Sequence, residues 1–184
     1  MKIISSALSF IWEVVKIVII ALVIVVPIRY FIFQPFFVKG QSMEPNFHNG
    51  DYLIIDEISY RFFEPQRGTV IVFKYPNDPS QRYIKRIIGL PGETVEVKDG
   101  KIYISKNNQT WLIDESDYLS EFIQLPGDIQ ISLRKDEYFV LGDNRVASFD
   151  SRRWGSLSEK YIIGRVVFRA WPMSALAKIE IPTY

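Results

Sequence analysis

The chain contains no cysteine and only one histidine, His48, among its 184 residues. The first absence excludes a thiol nucleophile, thiolate-bound zinc, iron–sulfur clusters and disulfides. The second leaves almost no material for a histidine-based triad or a histidine metal cluster. No metal and no cofactor is therefore expected, and acid–base chemistry would have to run on Lys, Asp, Glu or Tyr. Charge of one sign is also missing: 22 Lys plus Arg face 21 Asp plus Glu, a net charge of +1. A near-neutral chain without a basic run has no electrostatic footprint for nucleic acid. Apolar residues, by contrast, are plentiful, 48% of the total against 23% charged. That is enough to bury a core, and the length suits one domain or one domain plus an anchor.

Those apolar residues are unevenly spread. Residues 17–28 read IVIIALVIVVPI, and within 7–28 only Ser9, Glu13, Lys16 and Pro27 are not apolar. Trp12 and Tyr30 bracket the run at 18 helical steps, roughly 27 Å at ~1.5 Å each, close to the ~30 Å hydrocarbon core of a bilayer. Glu13 and Lys16 can pair, while Lys16 and Arg29 can snorkel to the two interfaces. The run predicts one transmembrane helix at about residues 11–30. A cleaved secretory signal would be shorter and followed by small residues, whereas Pro27-Ile-Arg-Tyr-Phe-Ile-Phe is bulky throughout. A buried core helix would carry a polar face, which residues 17–28 lack. The domain plan is thus 1–33, a stub and anchor, and 34–184, a folded domain.

The second part reads as mainly β. Its apolar runs are short, β-branched and bounded by turn residues, with strands expected at 36–39, 51–56, 69–74, 82–89, 94–97, 101–105, 128–133, 137–141 and 164–171. Asp99-Gly100 between two alternating runs is a two-residue hairpin signal. No βαβ spacing appears, so an antiparallel sheet is favoured over a parallel one. Residues 105–128 are polar and predict a loop with a helical turn near 115–122.

Three stretches could carry chemistry. Gly40-Gln-Ser-Met-Glu-Pro-Asn places Ser42 in a turn-prone segment, although a lone loop serine is usually structural or solvated. In Tyr83-Ile-Lys-Arg-Ile-Ile-Gly, two adjacent cations stand inside an apolar strand. Side chains alternate along a strand, so one of Lys85 and Arg86 should point at a partly buried region. A lysine buried there could lose its charge near neutral pH and act as a general base towards a serine. The plainer reading is a packed stem with a wet ammonium. In Gly142-Asp-Asn-Arg-Val-Ala-Ser-Phe-Asp-Ser-Arg-Arg-Trp-Gly, opposite charges alternate among turn residues. Such a run is usually solvated, but paired hydrogen bonds can also lock it into a rigid loop.

In this order and combination, the stretches resemble the type I signal peptidases. The resemblance runs from the apolar segment to near Trp171 and includes Gln34-Pro-Phe-Phe-Val-Lys-Gly-Gln-Ser-Met-Glu-Pro-Asn, Gly50-Asp-Tyr-Leu-Ile-Ile and Arg67-Gly-Thr-Val-Ile-Val-Phe. It implies a membrane-anchored serine endopeptidase that removes signal peptides from secretory preproteins, cutting after small residues of the Ala-x-Ala type. By the same resemblance Ser42 is the nucleophile, Lys85 the general base and Ser148 the residue that orients the lysine. Asp143, Arg145, Asp150 and Arg152, with Arg86, support the site. Phe36, Val38, Phe47, Tyr83 and Ile84 match the substrate wall, where bulky residues leave shallow pockets. The resemblance also implies partners in preproteins and the lipid bilayer, with a cytoplasmic N-terminus and the catalytic domain outside the plasma membrane.

The chain departs from the family pattern at two places. Gly40 stands where some members carry a serine hydroxyl that helps hold the oxyanion, leaving more to the Ser42 backbone N–H. Asn46 replaces a commoner threonine. The short 101–128 stretch makes a large accessory β domain unexpected. His48 is read as a loop residue. Two rivals fit less well. A self-cleaving repressor-type protease would need a soluble N-terminal part, and an inactive accessory homologue would usually have lost the serine or the lysine.

Overall fold

The computed structural model describes residues 2–31, 33–120 and 125–182, with side chains described from residue 34 onward and for 10–25. Helix α1 spans Lys2–Phe31. The expected transmembrane anchor is nevertheless corrected: among the described residues, no helix is long and apolar enough to cross a membrane. The side chains described in α1 are those of residues 10–25. They are all exposed and include a Lys16–Glu13 ion pair at 2.6 Å. The single-pass topology with cytoplasmic N-terminus and outer-face catalytic domain, which the resemblance implied, is corrected with it. The side chains of Arg29, Tyr30, Phe31 and Phe33 lie outside the described residues.

The mainly β, antiparallel reading holds for the rest. Strands β1 (Phe33–Phe37), β2 (Tyr52–Asp56), β3 (Val70–Tyr75), β4 (Asp78–Gly89), β5 (Thr94–Lys98) and β6 (Lys101–Lys106) come first. They are followed by β7 (Gln109–Leu112), β8 (Ile129–Ser132), β9 (Glu137–Leu141), β10 (Leu157–Ser158), β11 (Ile162–Trp171) and β12 (Ala177–Lys178). One sheet runs β1-β2-β11-β3-β4-β9-β10, with β12 on β11, and a second runs β7-β6-β5-β8.

The small sheet forms from two tight hairpins. Asp99 and Gly100 both have positive φ, 49° and 74°, as the expected turn requires. A second turn of the same kind at Asn107 and Asn108, φ 51° and 63°, starts β7. This strand was not legible in the sequence, because all four of its residues are exposed and it shows no apolar alternation. On β5 and β6 the alternation is clear: Val95, Val97, Ile102 and Ile104 point inward and pack with Ile88, Phe139 and Leu141 of the large sheet. Where a helical turn was expected near 115–122, Tyr118 N and Leu119 N both return to Glu115 O as a turn, while 121–124 lie outside the described residues.

Strand β4 organises the molecule. Its inner half, from Ile84 to Gly89, is buried on both faces. Ile84 packs with Val38, Met43, Phe47 and Leu53, Ile87 packs with Phe73, Tyr138 and Val140, and Ile88 joins the small-sheet core. Covered from both sides, the strand buries both of its adjacent cations rather than one: Lys85 is 4% and Arg86 3% exposed.

Candidate active site

Ser42 sits in the loop between β1 and β2. Val38 N donates to Asp51 O and Gly50 N to Val38 O, closing the loop, while Phe47 N donates to Met43 O within it. Met43 and Phe47 are buried and plug the loop onto the core. Gly40 has φ 87°, a backbone that glycine adopts freely and a residue with a Cβ does not. The missing serine hydroxyl at this position and the local backbone therefore go together. Gly40 N is held by Asn49 Oδ1 at 2.9 Å.

Lys85 reaches this loop from β4. Its Nζ donates to Ser42 Oγ at 2.6 Å and to Ile84 O at 2.9 Å. Burial pulls its pKa down from 10.5 to about 8, against the Asp150 and Asp143 carboxylates, which push it up. A lysine in this state has an accessible neutral form, in which one N–H can stay on Ile84 O while the nitrogen lone pair faces the serine hydroxyl.

The third stretch follows β9, whose Leu141 lies opposite Arg86 on β4. Arg86 Nε and Nη2 donate to Asp143 Oδ1 and Oδ2 at 2.9 and 2.6 Å, Nη1 donates to Gly68 O, and the guanidinium lies 4.0 Å from the Tyr118 ring centroid. Arg145 makes a fork of two 2.6 Å bonds to Glu115 and donates from Nε to Gly142 O. Arg152 forks onto Asp150 through Nε and Nη2, each at 2.9 Å. Asp150 also accepts from Gly142 N and caps the short helix α2 (Ser151–Trp154) through Arg152 N. Planar bidentate pairs of this sort fix orientation as well as charge, so the loop is held by its own charged side chains together with Arg86 of β4 and Glu115.

Gly142 has no room for a side chain: a Cβ there would overlap Ser148 Oγ and Ser42 O. This close approach brings the last stretch against the first. The Ser148 hydroxyl is buried and has no hydrogen-bond partner among the described residues.

The residues read as a substrate wall separate into two groups. Phe36, Tyr83 and Ile84 line a groove of about 500 Å³ together with Ser42, Lys85, Phe37, Lys39 and residues 80–82. Val38 and Phe47 lie in the core instead, 2% exposed each. His48 is exposed. No cluster of His, Asp or Glu that could hold a metal is present among the described residues.

Three residues of the site were not singled out by sequence reasoning, and Asn46 was noted only for replacing a commoner threonine. Glu115 and Tyr118 come from a polar stretch with no pattern of its own. Asn46 Nδ2 donates to Tyr118 O and Asp143 Oδ2, and Asn144 reaches back to the serine loop. The usable signal was indirect: an arginine set buried in a core demands carboxylates, and Asp114-Glu-Ser-Asp was the unassigned acidic segment.

Residues 11–171 match the family described as "Signal peptidase, peptidase S26". A signal peptidase I of Leptolyngbya laminosa is 39% identical, over 92% of this chain and 84% of that one. A signal peptidase I of Bacillus amyloliquefaciens is 36% identical, over 88% and 86%. A crystal structure of a signal peptidase I from Enterococcus faecalis aligns at TM-score 0.46 and 33% identity, over 56% of this chain and 97% of that one. With a serine, a buried lysine and a peptide-sized groove already in place, the family match settles the class: the chain belongs to peptidase family S26, the signal peptidases, and is a serine endopeptidase.

Proposed function

We propose that this signal peptidase uses Ser42 as nucleophile and Lys85 as general base, and cuts preproteins after small residues of the Ala-x-Ala type. The observation that carries the reading is the 2.6 Å separation of Lys85 Nζ and Ser42 Oγ, with the lysine buried. Neutral Lys85 takes the Ser42 proton as Oγ attacks the scissile carbonyl carbon. The carbonyl oxygen becomes an oxyanion facing the Ser42 N–H, and the resulting ammonium returns its proton to the leaving amine. The acyl-enzyme is then opened by water, Lys85 again taking and returning the proton.

The groove favours an extended peptide. β1 forms one end of the large sheet and, among the described residues, pairs only with β2, while β4 meets β9 at Arg86, Ile87 and Gly89. Phe36 and Phe37 of β1 thus face residues 80–84 of β4 across an unfilled gap, into which a strand can be added. Phe36, Tyr83 and Ile84 leave little depth beside Ser42, which selects small side chains by exclusion. Ser148, buried beside the site, orients Lys85 as the lysine changes partners during turnover.

The test is cleavage of a secretory preprotein by the purified full chain, with sequencing of the new N-terminus. The expected cut follows an Ala-x-Ala-type site and is lost in Ser42→Ala and in Lys85→Ala. Cleavage at near the normal rate in either variant overturns the dyad.

A further inference from the structure

The oxyanion of such a reaction needs a donor fixed in direction before the substrate arrives. With Gly40 in the loop, no side-chain hydroxyl stands two residues before Ser42, and the Ser42 N–H accordingly matters more. Among the described residues this N–H has no acceptor within the protein. Its direction is set by the peptide that carries it. A trans peptide is planar, and its C=O and N–H point in opposite directions. Whatever holds Gln41 O therefore aims Ser42 N–H.

Asn144 holds it. Its Nδ2 donates to Gln41 O at 3.1 Å, and its backbone N donates to Ser42 O at 3.1 Å. Glu44 N adds a 3.2 Å bond to Gln41 O from within the loop. One residue thus grips the carbonyls on both sides of Ser42 and fixes the two peptide planes that flank the nucleophile. Asn144 is itself braced: its Oδ1 accepts from Ala147 N at 3.1 Å, and its neighbours Asp143 and Arg145 are locked in ion pairs with Arg86 and Glu115.

We infer that Asn144 is a positioning residue that aims the Ser42 N–H at the oxyanion, acting through the Gln41–Ser42 peptide. This rests on Ser42 being the nucleophile, as proposed above. The charged frame around Asn144 then has a purpose beyond rigidity, since it carries one amide to the carbonyl behind the serine.

The experiment compares Asn144→Ala and Asn144→Asp with the wild-type chain in steady-state cleavage of a preprotein. Rates are normalised to the folded fraction measured by circular dichroism, and Ser42→Ala is assayed alongside. Asn144→Asp keeps an acceptor for Ala147 N but loses the donor to Gln41 O, so it restores the loop brace and not the grip. In both variants kcat is expected to fall about 10- to 100-fold at a pH where Lys85 is neutral, less than the ~10²–10³ seen when an oxyanion donor is removed outright. KM should stay within about threefold, and the midpoint of the pH–rate profile of Asn144→Ala should not move. Recovery by Asn144→Asp to within twofold of wild type would reduce Asn144 to a loop brace and overturn the inference. So would a loss that vanishes on normalisation, or one that appears only as a shifted pH midpoint, which would place the effect on Lys85. Activity retained in Ser42→Ala would instead remove the nucleophile itself, a failure of the underlying reading that the Asn144 variants alone would not produce.

Discussion

Asn46 Nδ2 donates to Asp143 Oδ2 at 2.8 Å, joining the serine loop to the last stretch of the site across 97 positions of sequence. The same carboxylate receives the fork of Arg86. Asp143 is 0% and Arg86 3% exposed, so removal of either partner strands a charge in the core. Arg86→Ala is expected to lower unfolding stability by about 3–5 kcal/mol, and Asn46→Ala by about 1 kcal/mol. Urea denaturation of the two variants checks the ordering; an Arg86→Ala loss below that of Asn46→Ala would contradict it.

The pKa of Lys85, pulled down to about 8 by burial, fixes the pH dependence of activity. The base is the neutral amine, so kcat/KM should rise through about pH 8 and then level off. A profile flat from pH 6 to 9 counts against the lysine.

Stability carries the same signature with a definite sign. The Lys85 pKa is about 8 when folded and 10.5 as the reference value. Between these values the unfolded chain binds more protons, and wild-type stability gains with rising pH. Lys85→Met, which keeps the stem but cannot ionise, lacks that gain. Its stability relative to wild type should therefore be highest below pH 8 and decline by up to about 3 kcal/mol by pH 10.5. Paired urea unfolding curves across that range would show the trend or its absence.

Ser148 separates stability from activity. Its hydroxyl is buried without a partner among the described residues, and replacing such a group removes a desolvation cost. Ser148→Ala should be as stable as wild type or slightly more so. If the hydroxyl orients Lys85 during turnover, kcat should fall about 5- to 30-fold, the equivalent of one hydrogen bond of about 1–2 kcal/mol. Unchanged kcat would remove Ser148 from the mechanism.

Gly142→Ala tests the close approach of the two loops. The added methyl overlaps Ser148 Oγ and Ser42 O, one of them backbone that cannot turn aside. Activity should drop at least 100-fold, the scale expected when reacting groups are displaced by about 1 Å. A variant with more than a tenth of wild-type kcat/KM would show that the loop has slack.

The local pattern of the chain by itself determined the β character and the Asp99-Gly100 hairpin, and its motif order marked three stretches that the structure brings together, because alternation, turn residues and motif order are properties of neighbours in sequence. It did not determine that both Lys85 and Arg86 are buried, since a strand does not announce that its two faces will be covered by different cores. Nor did it place Val38 and Phe47 in the core rather than in the groove. The N-terminal apolar run predicted a membrane span, and among the described residues no helix meets the length and apolarity that a span requires. The tertiary structure alone decided the partners: Glu115 for Arg145, Asn46 for Asp143 and Asn144 for Gln41 O. Each of these pairs lies 30 or more positions apart. A hydrogen bond over such a separation is fixed by the packing of β4 against β9 and the serine loop, not by local preference.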